Sequence, residues 1–189
     1  MLHKKRNSLL NFRFIKFLLI SPIFLSIPLL TNVYEANAGL EFQWDQDSGY
    51  KKLKWFQKEE KRRFKNTIFL FLRSSDRATE LLKINLSIPK KFQSVLKTEN
   101  ITLCKVSIGG FEGRTKCLED IEADIELKED NSSLVFYPYK PIPSNKDSYA
   151  IVFKVLNPKR SGLYQFHSFG QYAGQSVSNY LGSWTIGID

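Results

Sequence analysis

Histidine, methionine and cysteine are nearly missing from this chain: two, one and two of them in 189 residues. His3 lies in an N-terminal segment with the features of a removable leader, which leaves His167. Nucleophilic catalysis of the Ser-His-Asp kind needs a base that titrates near pH 7. His167 sits in "YQFHSF", sharing one strand face with Gln165 and Phe169 opposite Tyr164, Phe166 and Ser168, and reads as an ordinary strand histidine. Zinc asks for about four ligands, and Cys104, Cys117 and His167 are too few. There is no glycine-rich phosphate cradle and no His-Glu metal motif. The expectation is a protein with no catalytic residue, no metal ligand and no cofactor. Carboxylates are plentiful, so a glycan-directed hydrolase with a carboxylate pair is the alternative, although no spacing singles out a pair.

Long apolar runs are also scarce. The one run is "FLLISPIFLSIPLL", residues 17–30, preceded by Lys4, Lys5, Arg6, Arg13 and Lys16 and followed by the small-residue motif "ANA" at 36–38. A basic start, an apolar middle and a small-residue cleavage site make a secretory signal peptide. Fourteen residues interrupted by Pro22 and Pro28 fall short of the roughly 20 that a membrane-crossing helix needs, so cleavage is preferred over a retained anchor. No Arg-Arg pair precedes the run and no cysteine stands beside the motif for a lipid, which points to export as an unfolded chain. The periplasm, the cell envelope or a thylakoid lumen would then house the protein.

Export matters for both charge and cysteine. The whole chain carries +9, but without residues 1–38 the balance is 23 basic against 18 acidic side chains, or +5. "YKKLKWFQKEEKRRFKN", residues 50–66, holds more than all of that excess: residues 51–65 alone carry +6, and the rest of the mature chain carries −1. Charge so localised acts on partners more than on fold. With Lys51, Lys52, Lys54, Trp55, Lys58, Lys61, Arg62, Arg63 and Lys65, this arm is a candidate site for an anionic surface, either a membrane or an acidic glycan. The plainer reading is a solvated arm that packs its aromatics on the domain. If helical, Tyr50, Leu53, Phe56 and Phe64 share a face, but Glu60 interrupts it. Export removes most of the case for nucleic acid. Cys104 and Cys117 enclose "KVSIGGFEGRTK", whose three glycines let the chain double back. A disulfide is therefore expected over two separate thiols in an oxidising compartment.

From residue 67 onward period-two alternation dominates, the mark of half-buried strands. "TIFLFLR" is a continuous apolar run suited to a strand covered on both faces. In "LLKINLSIP", Leu82, Ile84, Leu86 and Ile88 share a face; in "ITLCKVSI", Ile101 and Leu103 oppose Cys104 and Val106. "DIEADIELK" sets Ile121, Ala123, Ile125 and Leu127 against Asp120, Glu122, Asp124 and Glu126. Alternate strand residues lie nearly 7 Å apart, too far to converge on Ca²⁺ at about 2.3–2.6 Å; the row reads as a charged outer face or a protected edge. "SLVFYPY", "SYAIVFKVL", "GLYQFHSF" and "YLGSWTIGI" complete about eight strands. The fold class is all-β, an immunoglobulin-like or related sandwich over residues 67–189, behind a basic, possibly helical arm at 39–66. "NPKRSG", residues 157–162, reads as a hairpin turn and nothing more.

The closing half also carries a resemblance. Pro141, Pro143, Asn157-Pro158, Gly162, Tyr164, Phe166, Ala173-Gly174 and Tyr180-Leu181-Gly182 resemble a cyanobacterial family of exported proteins catalogued as a domain of unknown function. The likeness covers residues 133–186 and is fainter over 67–108. Ser144-Asn145 stands where Pro-Gly is usual, and Tyr172 replaces a proline. The resemblance implies an exported β-rich domain and carries over no site residue. The functional expectation is a non-enzymatic exported protein that binds an envelope protein or glycan, with peripheral contact to an anionic membrane. Mass spectrometry of the protein from its native cells is expected to find Gly39 as the first residue; an intact residue 1 would contradict the leader.

Overall fold

The computed structural model describes residues 49–110 and 113–189. The expected leader, the expected cleavage point at Gly39 and the first part of the arm lie outside the described residues. Among the described residues ten strands are formed: β1 (Trp55–Gln57), β2 (Lys65–Leu72), β3 (Leu81–Ser87), β4 (Ile101–Ser107), β5 (Lys116–Ile121), β6 (Ala123–Leu127), β7 (Ser133–Pro138), β8 (Ser148–Leu156), β9 (Gly162–Tyr172) and β10 (Asn179–Ile188). They make two antiparallel five-stranded sheets, β1-β2-β8-β4-β5 (sheet I) and β10-β9-β3-β7-β6 (sheet II). The all-β sandwich expected from the alternation is what the chain forms.

Between the sheets lies the main core. Ile68, Leu70 and Leu72 of β2 and Ile151 and Phe153 of β8 meet Ile84 and Leu86 of β3, Phe136 of β7, Phe166 of β9 and Trp184 of β10. The other face of β2 is also buried: Phe69 and Phe71 join Cys104, Val106, Ala150 and Val152 in a second cluster on the outside of sheet I. This is why "TIFLFL" lacks a polar face. Residues of the β4–β5 loop, Gly109, Gly110, Gly113, Arg114 and Thr115, share a groove with Phe56 and Gln57 of β1 and the following Lys58, so that loop reaches across this face. Cys104 and Cys117 are disulfide-bonded, with Cα atoms 5.7 Å apart. Closing a loop of this length stabilises by about 3 kcal/mol in the chain-entropy view.

Sheet edges decide the remaining architecture. At one side the chain passes from β5 to β6 through Glu122 alone, leaving sheet I for sheet II. At the other, Leu53 N donates to Ser183 O (2.8 Å) and Ser183 N to Lys51 O (2.8 Å), a parallel bridge to β10, before β1 pairs with β2. Trp184, fully buried, donates its indole N–H to the carbonyls of Lys54 (3.0 Å) and Phe71 (3.2 Å). On the first side β5 and β6 remain outermost strands joined by the chain itself; on the second the bridge at Ser183 pairs part of the edge that an open sheet would expose.

Five local features differ from the sequence reading. The alternating row at 120–127 is not one strand: it breaks at Glu122 into β5 of sheet I and β6 of sheet II. No helix forms in the arm among the described residues: Leu53 and Gln57 are buried and Trp55 packs on the core, while Lys54, Phe56 and Lys58 face out. That is a strand period, and pairing with β2 and β10 outweighs a mediocre helical stripe. The strand ladder accordingly starts at Trp55, ahead of residue 67. A bulge between Leu81 and Lys83 turns Leu81 into the core and leaves Leu82 37% exposed. The 157–161 turn joins β8 of sheet I to β9 of sheet II, so it is an arch between sheets and not a hairpin.

Gly182 shows how tight the edge closure is. It takes φ +142°, and a Cβ there would lie 2.7 Å from both Leu53 Cγ and Lys51 O. Gly182→Ala is expected to cost about 1–3 kcal/mol through strain and overpacking, read as a lower urea midpoint; an unchanged midpoint would mean that the 51–53 segment contributes nothing to the fold.

Candidate functional site

Strand direction gathers the cationic loops. The β1–β2 loop, the β3–β4 connection and the β8–β9 arch all lie at the end of the sandwich where β3 and β8 finish and β2, β4 and β9 begin. Residues 58–65, 88–100 and 157–161 hold ten lysines and arginines against Glu59, Glu60 and Glu99. Arg63, Lys91, Lys159 and Arg160 line one groove of about 490 Å³ together with Val95, Leu156, Asn157 and Pro158. Lys90 and Lys91 line an adjoining one with Leu163 and Tyr164. Among the described residues, one ion pair lies at this end, Lys97–Glu99, while Lys51–Asp76, Arg73–Asp76 and Lys105–Asp147 lie elsewhere.

Two buried asparagines hold this end in shape. Asn66 accepts from Lys58 N (3.1 Å) and Glu59 N (3.0 Å) and donates to Asn157 Oδ1 (3.0 Å). Asn157 Nδ2 donates to Glu59 O (3.1 Å) and Lys61 O (2.9 Å). Its backbone completes the clamp, with Asn157 N donating to Phe64 O (2.9 Å) and Arg63 N to Asn157 O (3.2 Å). Arg63 is held at φ +62°, a region that costs a non-glycine residue strain. Glu59 is turned inward on its own loop, accepting from Glu60 N and Lys61 N at 3.0 Å each, and Arg62 Nε donates to Asp189 O (3.2 Å). Lys61 lies 5.8 Å over the Phe64 ring.

The nine arm residues named from the sequence are therefore divided. Lys61, Arg62, Arg63 and Lys65 lie at the cationic end, and Lys58 beside it against the outer face of sheet I. Lys51, Lys52 and Lys54 lie toward the opposite end, along the closed edge, where Lys51 Nζ is 3.8 Å from the buried Asp76 carboxylate. Trp55 is half-buried against the core. Lys90, Lys91, Lys159 and Arg160 were not singled out from the sequence. Short basic pairs in separate loops give no signal until strand order brings them together.

At the opposite end the charges are structural. Arg73 grips Asp76 with Nε and Nη2 (3.0 and 3.1 Å), and this hydrogen bonding holds its guanidinium pKa above the usual value. Arg77 is 6% exposed; it donates to the carbonyls of Leu72, Asn145 and Asp147 and stacks over Tyr149 at 4.8 Å, and burial lowers its pKa. A groove of about 620 Å³ beside it is lined by Glu119, Asp120, Glu122, Tyr139 and Asp147, among others. Asp147 is committed to Lys105 (2.7 Å) and Tyr139 to Asp124 (2.8 Å). His167 Nδ1 lies 2.7 Å from Ser183 Oγ, which is also 2.6 Å from Tyr180 OH. This Ser-His contact has a fully buried serine, so its oxygen has no room for a substrate. Among the described residues no group of three or more His, Cys, Asp and Glu could hold a metal ion, and no helix is long and apolar enough to cross a membrane.

Residues 45–188 match the family model described as a protein of unknown function (DUF2808). The chain belongs to that family. No curated protein matches this DUF2808 chain. Among solved structures it is similar to BslA, a bacterial hydrophobin, with 11% identity and a TM-score of 0.46 over 74% of this chain and 95% of the other. The collagen-binding domain of a Staphylococcus aureus adhesin gives 12% and 0.38 over 71% and 95%, and the human F-spondin reeler domain 8% and 0.39 over 75% and 91%.

Asn157→Ala in the DUF2808 domain would leave Glu59 O, Lys61 O and the Asn66 amide short of partners. We expect a loss of about 2–4 kcal/mol in urea unfolding, with local release of residues 58–64 in hydrogen exchange; protection as strong as in the parent would refute the clamp.

Proposed function

We propose that this protein is a non-catalytic binding module, exported by cyanobacterial cells into the envelope or a thylakoid lumen, that sits on an anionic surface by the cationic end of its sandwich. The observation that carries the reading is the convergence of ten basic side chains with three acidic ones on three loops and the first residue of β2, one loop being clamped by buried asparagines. A clamp of this kind keeps charges in place that would otherwise repel each other into solvent. The leader-like segment and the disulfide support the exported part, and the other end of the sandwich is left free for an envelope protein or glycan. Lys51, Lys52 and Lys54 belong to the proposed surface only as a peripheral strip along the edge.

A hydrolase acting on glycan is the second reading, favoured by the groove that Glu119, Asp120 and Glu122 line. It needs a free acid and a free base facing one bond, and of the groove's carboxylates Asp147 is already paired.

Each basic side chain near an anionic layer contributes about 1 kcal/mol, screened by salt. Replacing Arg63, Lys91, Lys159 and Arg160 by glutamine should therefore cost up to about 4 kcal/mol in binding at low salt, measured by co-sedimentation with anionic vesicles and retention on an acidic polysaccharide column. Equal retention of the variant and the parent would dispose of the reading.

A further inference from the structure

The cationic end carries more apolar surface than a charge-binding site needs. Leu163 is 75% exposed, Phe64 54% and Leu156 50%. Leu156 and Leu163 flank the 157–161 arch on the strands of two different sheets, and Leu156 pairs across the ladder with Lys65, the neighbour of Phe64. Leu156 shares the groove of Arg63 and Lys91, and Leu163 that of Lys90 and Lys91. Large apolar side chains exposed singly are ordinary, as Val177 at 65% and Leu118 at 57% are here. Three at one end of the sandwich, two of them lining adjoining grooves that share Lys91, are a different matter.

Resting on the cationic-surface reading, we propose that the occupant of this end is an anionic lipid bilayer, with Phe64, Leu156 and Leu163 entering the headgroup boundary while the basic side chains reach the phosphates. A hydrated polysaccharide supplies anions but no apolar phase, so it leaves these three side chains in water. A bilayer interface supplies both, and interfacial binding scales with buried apolar area together with electrostatic attraction. Lysine and arginine fit the rim of such a contact because their stems lie along apolar surface while their charged tips stay hydrated. The strands then stand across the plane of the lipid, and the two sheets end in it as a pair of blunt tips. Glu129 and Asp130 of the β6–β7 turn lie on the far edge of sheet II, which tilts the contact toward the β1–β2 and β8–β9 loops.

The test uses the purified protein with vesicles of phosphatidylglycerol and phosphatidylcholine at 1:3, phosphatidylcholine vesicles alone, and dextran sulfate as a polyanion without an apolar phase. The parent is expected to sediment with the phosphatidylglycerol vesicles. The triple variant F64S/L156S/L163S, with its melting temperature checked against the parent, should lose about tenfold or more of vesicle binding and keep its binding to dextran sulfate. L163W should show a blue-shifted emission increment on vesicles that brominated lipid quenches. Unchanged vesicle binding by the triple variant, an L163W increment insensitive to brominated lipid, or binding to dextran sulfate without binding to vesicles would each overturn the bilayer while the cationic-surface reading stands. Parent-like binding of R63Q/K91Q/K159Q/R160Q to both vesicles and dextran sulfate would overturn both.

Discussion

Everything in this molecule depends on where its sheet edges go. Two open sheets present unpaired amides and carbonyls along their outermost strands, and those groups must be paired or wetted. Here one segment on each side changes sheets: residues 51–57 run from β10 to β2, and residues 116–127 run from β4 to β7. The Trp184 indole, rooted in sheet II and bonded to the carbonyls of Phe71 in β2 and of Lys54 just before β1, ties the first closure through the core. A sequence segment that looked like an appendage is thus a structural member. Its basic residues are fixed in space because its alternate residues, Leu53, Trp55 and Gln57, are packed inside.

This division of labour separates the two ends of the sandwich. At one end, arginines are spent on carbonyls and on a buried carboxylate, and Asp76 is shielded by two cations. Such an arrangement is costly to break, because removing one partner leaves the other buried without compensation. At the other end the buried anchors are neutral amides, and the charges stand outside. Neutral clamping suits a surface patch, since it does not consume the charge it positions.

The fold was largely legible in the residues. Alternation locates seven strands, one of which, the 120–127 row, is divided between β5 and β6 of two sheets, and the unbroken apolar run at 67–72 reads as an eighth covered on both faces, Phe69 and Phe71 being the outer cover. Three things escaped. β1 is three residues long and half lysine in its surroundings, so its period of two was masked by charge. The Leu81 bulge shifts one side chain without any glycine or proline to announce it. The arch at 157–162 has the chemistry of a hairpin, and whether a turn joins neighbours or crosses between layers depends on strand order, which local chemistry does not encode. The candidate site was legible only in part for the same reason. Arg63 stood out in a dense run, whereas Lys91, Lys159 and Arg160 acquire meaning only when β3, β8 and β9 end at one place.

The acidic row of β5 and β6 has a consequence for neighbours. Asp120, Glu122, Asp124 and Glu126 all face solvent along the outermost strands of the side opposite the lysine-rich border. Two copies approaching with these flanks together meet like charges at close range, so lateral stacking by that route is unfavourable.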